Sequence, residues 1–226
     1  MQDQAAKDEL TSEERSSRSQ FLKLAGGTGA AGALAIFLAA CGDDDENSSS
    51  SSSGGDSTEK ASGSAKGDLA IVNYALTLEY LEADFYKQAI ESGEVKTKAV
   101  VEVAKTIAED ENEHVMALTA TVEQLGGKPA AKPMTDFEDV LAGGEKKILE
   151  TAASVENLGA AAYLGQAGNI KNKDILAAAL SIHTNEARHA AVLNNVVGKT
   201  IVPDGAFAKP ADMATVLKSV KPFIKS

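Results

Sequence analysis

The chain has 226 residues, of which 43% are hydrophobic and 24% charged, a balance ordinary for a globular core. The net charge of −11 excludes a nucleic-acid binder, because phosphate contacts need clustered Lys and Arg. The single cysteine excludes an internal disulfide framework and a cysteine-based zinc cluster, and three histidines leave few candidates for an imidazole site.

The N-terminal region has the pattern of an export signal, assigned to residues 1–40. Arg15, Arg18 and Lys23 form a basic region ahead of the small apolar stretch Leu24–Ala40. That stretch ends Leu38-Ala39-Ala40-Cys41, which resembles a bacterial lipobox. The resemblance implies cleavage before Cys41, acylation of its thiol and amine, and anchoring to the membrane of the cell envelope. Ser17–Lys23 also resembles a twin-arginine signal, but Ser19 replaces the second Arg, which leaves the Sec route open. The alternatives are an uncleaved membrane anchor or a buried helix, and the stretch is short and Gly-rich for a span. Residues 41–67 read as a disordered tether, from the self-repelling run Asp43–Glu46 and the serine run Ser48–Ser53.

Helical periodicity then takes over. A first helix is expected over 68–91 with Asp68 as N-cap, and a second over 97–125, stopped by Gly126-Gly127. Residues 128–144 form a long connection in which Thr135-x-x-Glu138 suggests a capping box for one short helix. Third and fourth helices are expected over 145–167 and 172–197, and residues 199–226 form a C-terminal extension with a short helix near 211–219. No run alternates with period two. Short, long and short connections predict an all-α antiparallel four-helix bundle over 68–198, with a long crossover between helices two and three.

Carboxylates interrupt the apolar stripes. The second helix reads Val100, Ala104, Ile107, Glu111, Val115, Leu118, Val122, Leu125 at spacings of three and four, with His114 at i+3 from Glu111. The fourth reads Ile175, Ala179, Ile182, Glu186, His189, Leu193, Val196 and repeats Glu-x-x-His. In the first helix Glu79 and Tyr86 share the stripe with Val72, Ala75, Ala83 and Ile90. In the third, Glu156 and Tyr163 share it with Leu149, Ala152, Ala160 and Ala167. Both halves thus carry the order Glu, Tyr, Glu-x-x-His, an internal repeat.

A buried ionised carboxylate costs several kcal/mol unless it is paired or ligates a metal. Glu79, Glu111, His114, Glu156, Glu186 and His189 would give each of two cations an oxygen-rich shell with one nitrogen, which suits iron or manganese. Tyr86 and Tyr163 either support these ligands from behind, the expected role, or are plain core tyrosines. Glu109, Asp110 and Glu113 read as a solvated face, Glu82 and Glu150 as flanking surface residues, and His183 as no ligand. No catalytic residue is assigned beyond the ligands.

The run Ala75–Tyr86 and the run Glu186–Ala191 resemble the ferritin-like domains of the ferritin/rubrerythrin superfamily, in its bacterial, desiccation-associated branch. The resemblance implies a ferritin-like four-helix bundle and places the six ligand types on the six residues above. The ligand set is expected to hold two iron ions, with manganese as the alternative. The expected activity is ferroxidase or peroxidase-type chemistry with O2 or peroxide, or a manganese catalase-like reaction. A non-enzymatic structural or desiccation-stress protein is the alternative, and a mineral-storing cage is disfavoured by the tether and the extension. A homodimer is left open.

Overall fold

In a computed structural model of the protein, residues 57–225 are described, with side chains from residue 65 onward. The expected signal peptide, Cys41 and most of the tether lie outside the described residues. Four long helices carry the fold: α1 (Ser57–Ser92), α2 (Lys98–Gln124), α4 (Gly144–Ala167) and α5 (Lys173–Val196). A short α3 (Glu138–Ala142) lies in the crossover, and α6 (Met213–Val220) runs into a 3-10 turn at Lys221–Phe223. Packing is densest within the hairpins α1–α2 and α4–α5, as short connections require. Among the described residues the only β pairing is an isolated bridge between Thr135 and Ile224. The architecture is the expected all-α bundle. None of its described helices is long and apolar enough to cross a membrane.

The chain starts its first helix earlier than expected. Residues 57–67, expected in the tether, are helical, so Asp68 is not an N-cap. Its carboxylate is instead buried and accepts the backbone N–H groups of Lys171 and Asn172, each at 2.8 Å, at the turn between α4 and α5. Glu145 does the same in reverse. It stands at the start of α4 and accepts Lys96 N at 2.7 Å and Thr97 N at 3.2 Å, in the turn between α1 and α2. An acid at the head of each hairpin therefore clasps the turn of the other, where backbone donors ahead of a helix lack intrahelical partners. Asn172 completes the start of α5, its side chain accepting Asp174 N and Ile175 N. The hairpins end alike too: α2 and α5 are followed by Gly126 and Gly198 at φ 72° and 73°, a left-handed conformation that glycine adopts without strain.

The expected capping box does not form. The N-cap of α3 is Phe137, and Glu138 N meets Asp136 Oδ1 at 3.1 Å. Thr135 points elsewhere, donating its hydroxyl to Asp84. Its backbone belongs to a seam in which Asp136 N donates to Phe223 O and Lys225 N to Met134 O, tying the C-terminal extension to the crossover. Phe85, Phe137 and Phe223 pack in sequence, the first pair edge to face, with ring centroids 5.0 and 5.4 Å apart. The extension also crosses α4 at Gly165, where an added Cβ would meet Ala211 O at 1.9 Å, so any side chain there would push it off.

The core divides in two. One apolar cluster gathers Phe85, Ile107, Ala152 and Leu193 with the buried Val216 and Val220 of α6, and the other gathers Val72, Leu118, Ile175 and Ile182. On α1, α2 and α5 the stripe passes from one cluster to the other at or beside its glutamate, Glu79, Glu111 or Glu186, and on α4 it passes at Tyr163, two turns beyond Glu156. The four acids therefore form a polar layer closed by apolar residues on both sides.

Candidate metal centre

Each long helix delivers one glutamate to this layer, and all four are fully buried. Helical phase does the placing: each follows a buried apolar residue by one turn, Ala75, Ile107, Ala152 and Ile182 in chain order. His114 and His189 follow one turn after Glu111 and Glu186, so their rings enter the same layer, 6.5 Å apart between centroids.

The atoms converge on two points. His114 Nδ1 lies 3.1 Å from Glu79 Oε2, 3.1 Å from Glu111 Oε2 and 3.2 Å from Glu186 Oε1. His189 Nδ1 lies 3.0 Å from Glu111 Oε1 and 3.3 Å from Glu156 Oε2. One ring nitrogen carries at most one proton and cannot donate to three oxygens at once. Around His189 even the single bond is missing: Nδ1, Glu111 Oε1 and Glu156 Oε2 are all buried without a hydrogen-bond partner, as are both oxygens of Glu186. Their spacing is that of ion pairs, but their directions are not those of hydrogen bonds. They aim at shared space, which is how the ligands of a cation are arranged. Two overlapping groups have ligand atoms within 4.8 Å of one another, Glu79–Glu111–His114–Glu186 and Glu111–Glu156–Glu186–His189, and each could hold a metal ion. Glu111 and Glu186 belong to both.

The tyrosines close the layer from outside, each reaching across to the other half. Tyr86 O–H donates to Glu156 Oε1 and Tyr163 O–H to Glu79 Oε1, both at 2.5 Å. Each fixes one oxygen of a terminal glutamate and leaves the other facing inward. Burial, together with the acceptor carboxylate of each, pushes both phenols well above their ordinary range, so they remain donors.

Electrostatics without a cation are adverse. Burial, aided by the neighbouring acids Glu79 and Glu156, raises Glu111 to about 7 against the lowering contacts of His114 and His189. Burial and the surrounding carboxylates hold Glu186 well above the usual range. Burial opposes charge on His189, but Asp110, Glu111 and Glu156 outweigh it and lift the ring to about 12. His114 is raised as well, for the same balance of reasons. The layer fills with shared protons in the absence of positive charge.

Two residues contradict the sequence reading. Glu82, expected on the surface, is 2% exposed, and its Oε2 has no partner. Burial and the charges of Glu186, Glu79, Glu111 and Glu156 hold it far above the normal carboxylate range. Its position one turn beyond Glu79 could have revealed it. Asp110, expected on a solvated face, is half-buried and accepts from His189 Nε2 at 3.1 Å and Asn185 Nδ2 at 3.3 Å. That contact, ahead of burial, lowers its pKa. A carboxylate on the outer nitrogen orients an imidazole and directs Nδ1 inward. Glu109 and Glu113 are exposed and Glu150 is half-exposed, as expected. His183 makes its contact with Ala160 O at 3.0 Å, away from both groups.

Fold and layer together define an antiparallel helical bundle whose interior is lined with carboxylates and imidazoles fit for metal. The family model described as a ferritin-like domain matches residues 67–199, and the chain belongs to that family. No curated protein matches the chain.

Proposed function

We propose that the protein binds two metal ions in the polar layer, one in each group, and that Glu111 and Glu186, which belong to both groups, would help to hold both ions. The observation that carries this reading is the set of buried, partnerless oxygens and His189 Nδ1 converging on common points. Glu79 and His114 would complete one shell and Glu156 and His189 the other. Oxygen-rich shells with one nitrogen suit iron or manganese, and we assign iron first. A bound pair of redox-active ions supplies electrons to O2 or peroxide, as in iron oxidation or peroxide removal.

The chain's own contribution is positional. Tyr86 and Tyr163 hold the outer oxygens of Glu156 and Glu79, and Asp110 holds the His189 ring. The apolar clusters on either side exclude water, which strengthens every charge interaction in the layer. Protons held by Glu111, Glu186 and the two rings must leave as ions enter.

We further infer that Cys41 is the acylated first residue of the mature chain and anchors the domain to the cell-envelope membrane, on the strength of Leu38-Ala39-Ala40-Cys41. Cys41→Ser should leave the precursor uncleaved or release the protein from membranes, and intact mass of the wild type from the envelope should begin at a lipidated Cys41. An unmodified chain from Met1 would overturn this.

Metal content by elemental analysis of protein from its native host, with anaerobic Fe(II) titration, tests the centre. Two ions per chain, a melting temperature raised by Fe(II), and O2 uptake faster than Fe(II) oxidation in buffer are expected. His114→Ala with His189→Ala should remove all three. No gain in stability and no uptake would favour the structural, desiccation-stress reading, with the carboxylates kept protonated.

A further inference from the structure

The repeat that relates the two halves fails at one place inside the layer. Glu82 follows Glu79 by three residues, and Gly159 follows Glu156 by three. A Cβ built at Gly159 would lie 2.8 Å from Glu82 Oε1 and 2.9 Å from Glu186 Oε2. The missing side chain of one half is thus the space that the extra carboxylate of the other half occupies. Contacts this short are ones real Cβ atoms do not make, so a side chain at 159 would displace the carboxylate ends of Glu82 and Glu186 from their present positions.

The surroundings of Glu82 give it no ordinary counter-charge. Leu78, Leu81, Val155, Leu158, Val216 and Val220 line a small cavity with it on one side. On the other stands Glu186, whose Oε2 is as partnerless as Glu82 Oε2. Among the described residues no Lys or Arg pairs with it. Burying a fifth carboxylate beside four others is costly unless it holds a proton or meets a cation, and a metal ion in the layer would supply that positive charge.

We propose that Glu82 is a further ligand of the ion pair, entering beside Glu186 through the room left by Gly159, and that it makes the two ion positions unequal. This rests on the dinuclear reading above. It assigns Glu82 a role that neither the internal repeat nor the two convergent groups give it.

The test is a titration of metal-free full-length protein with Mn(II) under anaerobic conditions, read by calorimetry and by the electron paramagnetic resonance of free Mn(II). Wild type should bind two ions in two resolved steps. Glu82→Gln, which keeps shape and removes charge, should weaken one step by about tenfold or more and leave the other within about twofold. Glu82→Asp, which restores the charge, should recover part of the loss. Glu113→Gln, on the exposed face, should change neither step. Two unchanged steps in Glu82→Gln would overturn the proposal and leave the dinuclear reading intact, making Glu82 a neutral acid hydrogen-bonded to its neighbour. Equal weakening of both steps, with a lowered melting temperature of the metal-free protein, would overturn it as a packing effect. A wild type that binds no Mn(II) or Fe(II) would overturn both.

Discussion

The hairpins α1–α2 and α4–α5 are two renderings of one plan, and they differ where chemistry would be decided. Glu79 and Glu156, Glu111 and Glu186, His114 and His189, and Tyr86 and Tyr163 correspond pair by pair. So do Asp68 and Glu145, each clasping the other hairpin's turn. Two pairs break the match. Glu82 corresponds to Gly159, and Asp110, which orients His189, corresponds to Asn185 ahead of Glu186. The shared features build the bundle and the layer. The unshared ones put an additional carboxylate near one set of ligands and a carboxylate behind one imidazole only. A symmetric frame is therefore compatible with an asymmetric pair of ions.

The strongest way to break the comparison is to remove a shared glutamate. Glu186→Ala or Glu111→Ala should reduce retained metal from two ions to none after dialysis, whereas Glu79→Ala or Glu156→Ala should each retain one, by elemental analysis. Equal losses across all four would contradict the two overlapping groups.

Acidity should move both halves together. Glu111 and Glu186 have folded pKa values raised above their unfolded ones, as have His114 and His189. Each such group binds more protons folded than unfolded, so its contribution to metal-free stability is present at low pH and lost as pH rises through the folded value. Metal binding displaces the same protons and gains as pH rises. The rise in melting temperature on adding Mn(II) should therefore be larger at pH 8 than at pH 6, with the step centred near the Glu111 value of about 7. A gain that shrinks with pH would contradict the proton-filled layer.

A smaller effect isolates the imidazoles. Asp110→Ala should weaken one ion position by roughly 10- to 100-fold through loss of the contact behind His189. Asn185→Ala should weaken it less, because it removes no charge. Equal effects in a Mn(II) titration would erase that asymmetry. The clasps come last. Asp68→Ala leaves two backbone donors unpaired at a buried site and should cost about 1–3 kcal/mol in denaturant unfolding, with metal stoichiometry unchanged. Glu145→Ala, at a half-buried site, should cost less.

Much of this was legible in the chain. The stripes of α2 and α5 carried Glu111, His114, Glu186 and His189 to the layer because helical phase alone fixes which face a residue takes. Glu79 and Glu156 followed from the repeat. What escaped was set by neighbours rather than by phase. Glu82 lies at the margin of its stripe, and its carboxylate ends beside a residue 77 positions away that has no side chain. Asp110 looks like one more surface acid until α5 brings His189 against it. Asp68 has the form of an N-cap, and its true partners are at Lys171 and Asn172 across the bundle. The capping box at Thr135 lost to a seam with the C-terminal extension, a competition between distant segments that local pattern does not contain.

The crossing of ligands between hairpins has a consequence for the order of events in the protein's life. Neither hairpin alone owns a complete ion position: α1–α2 holds Glu79, Glu111 and His114 but lacks Glu186, and α4–α5 holds Glu156, Glu186 and His189 but lacks Glu111. The tyrosine that steadies each terminal glutamate likewise arrives from the opposite hairpin. On the dinuclear reading, a newly made chain with both hairpins formed but not yet docked would grip metal only weakly, so metal would not be gathered onto an open, water-filled intermediate. Capture would wait for closure, and metal retention would then serve as a late checkpoint of assembly, readable during refolding as the last signal to recover.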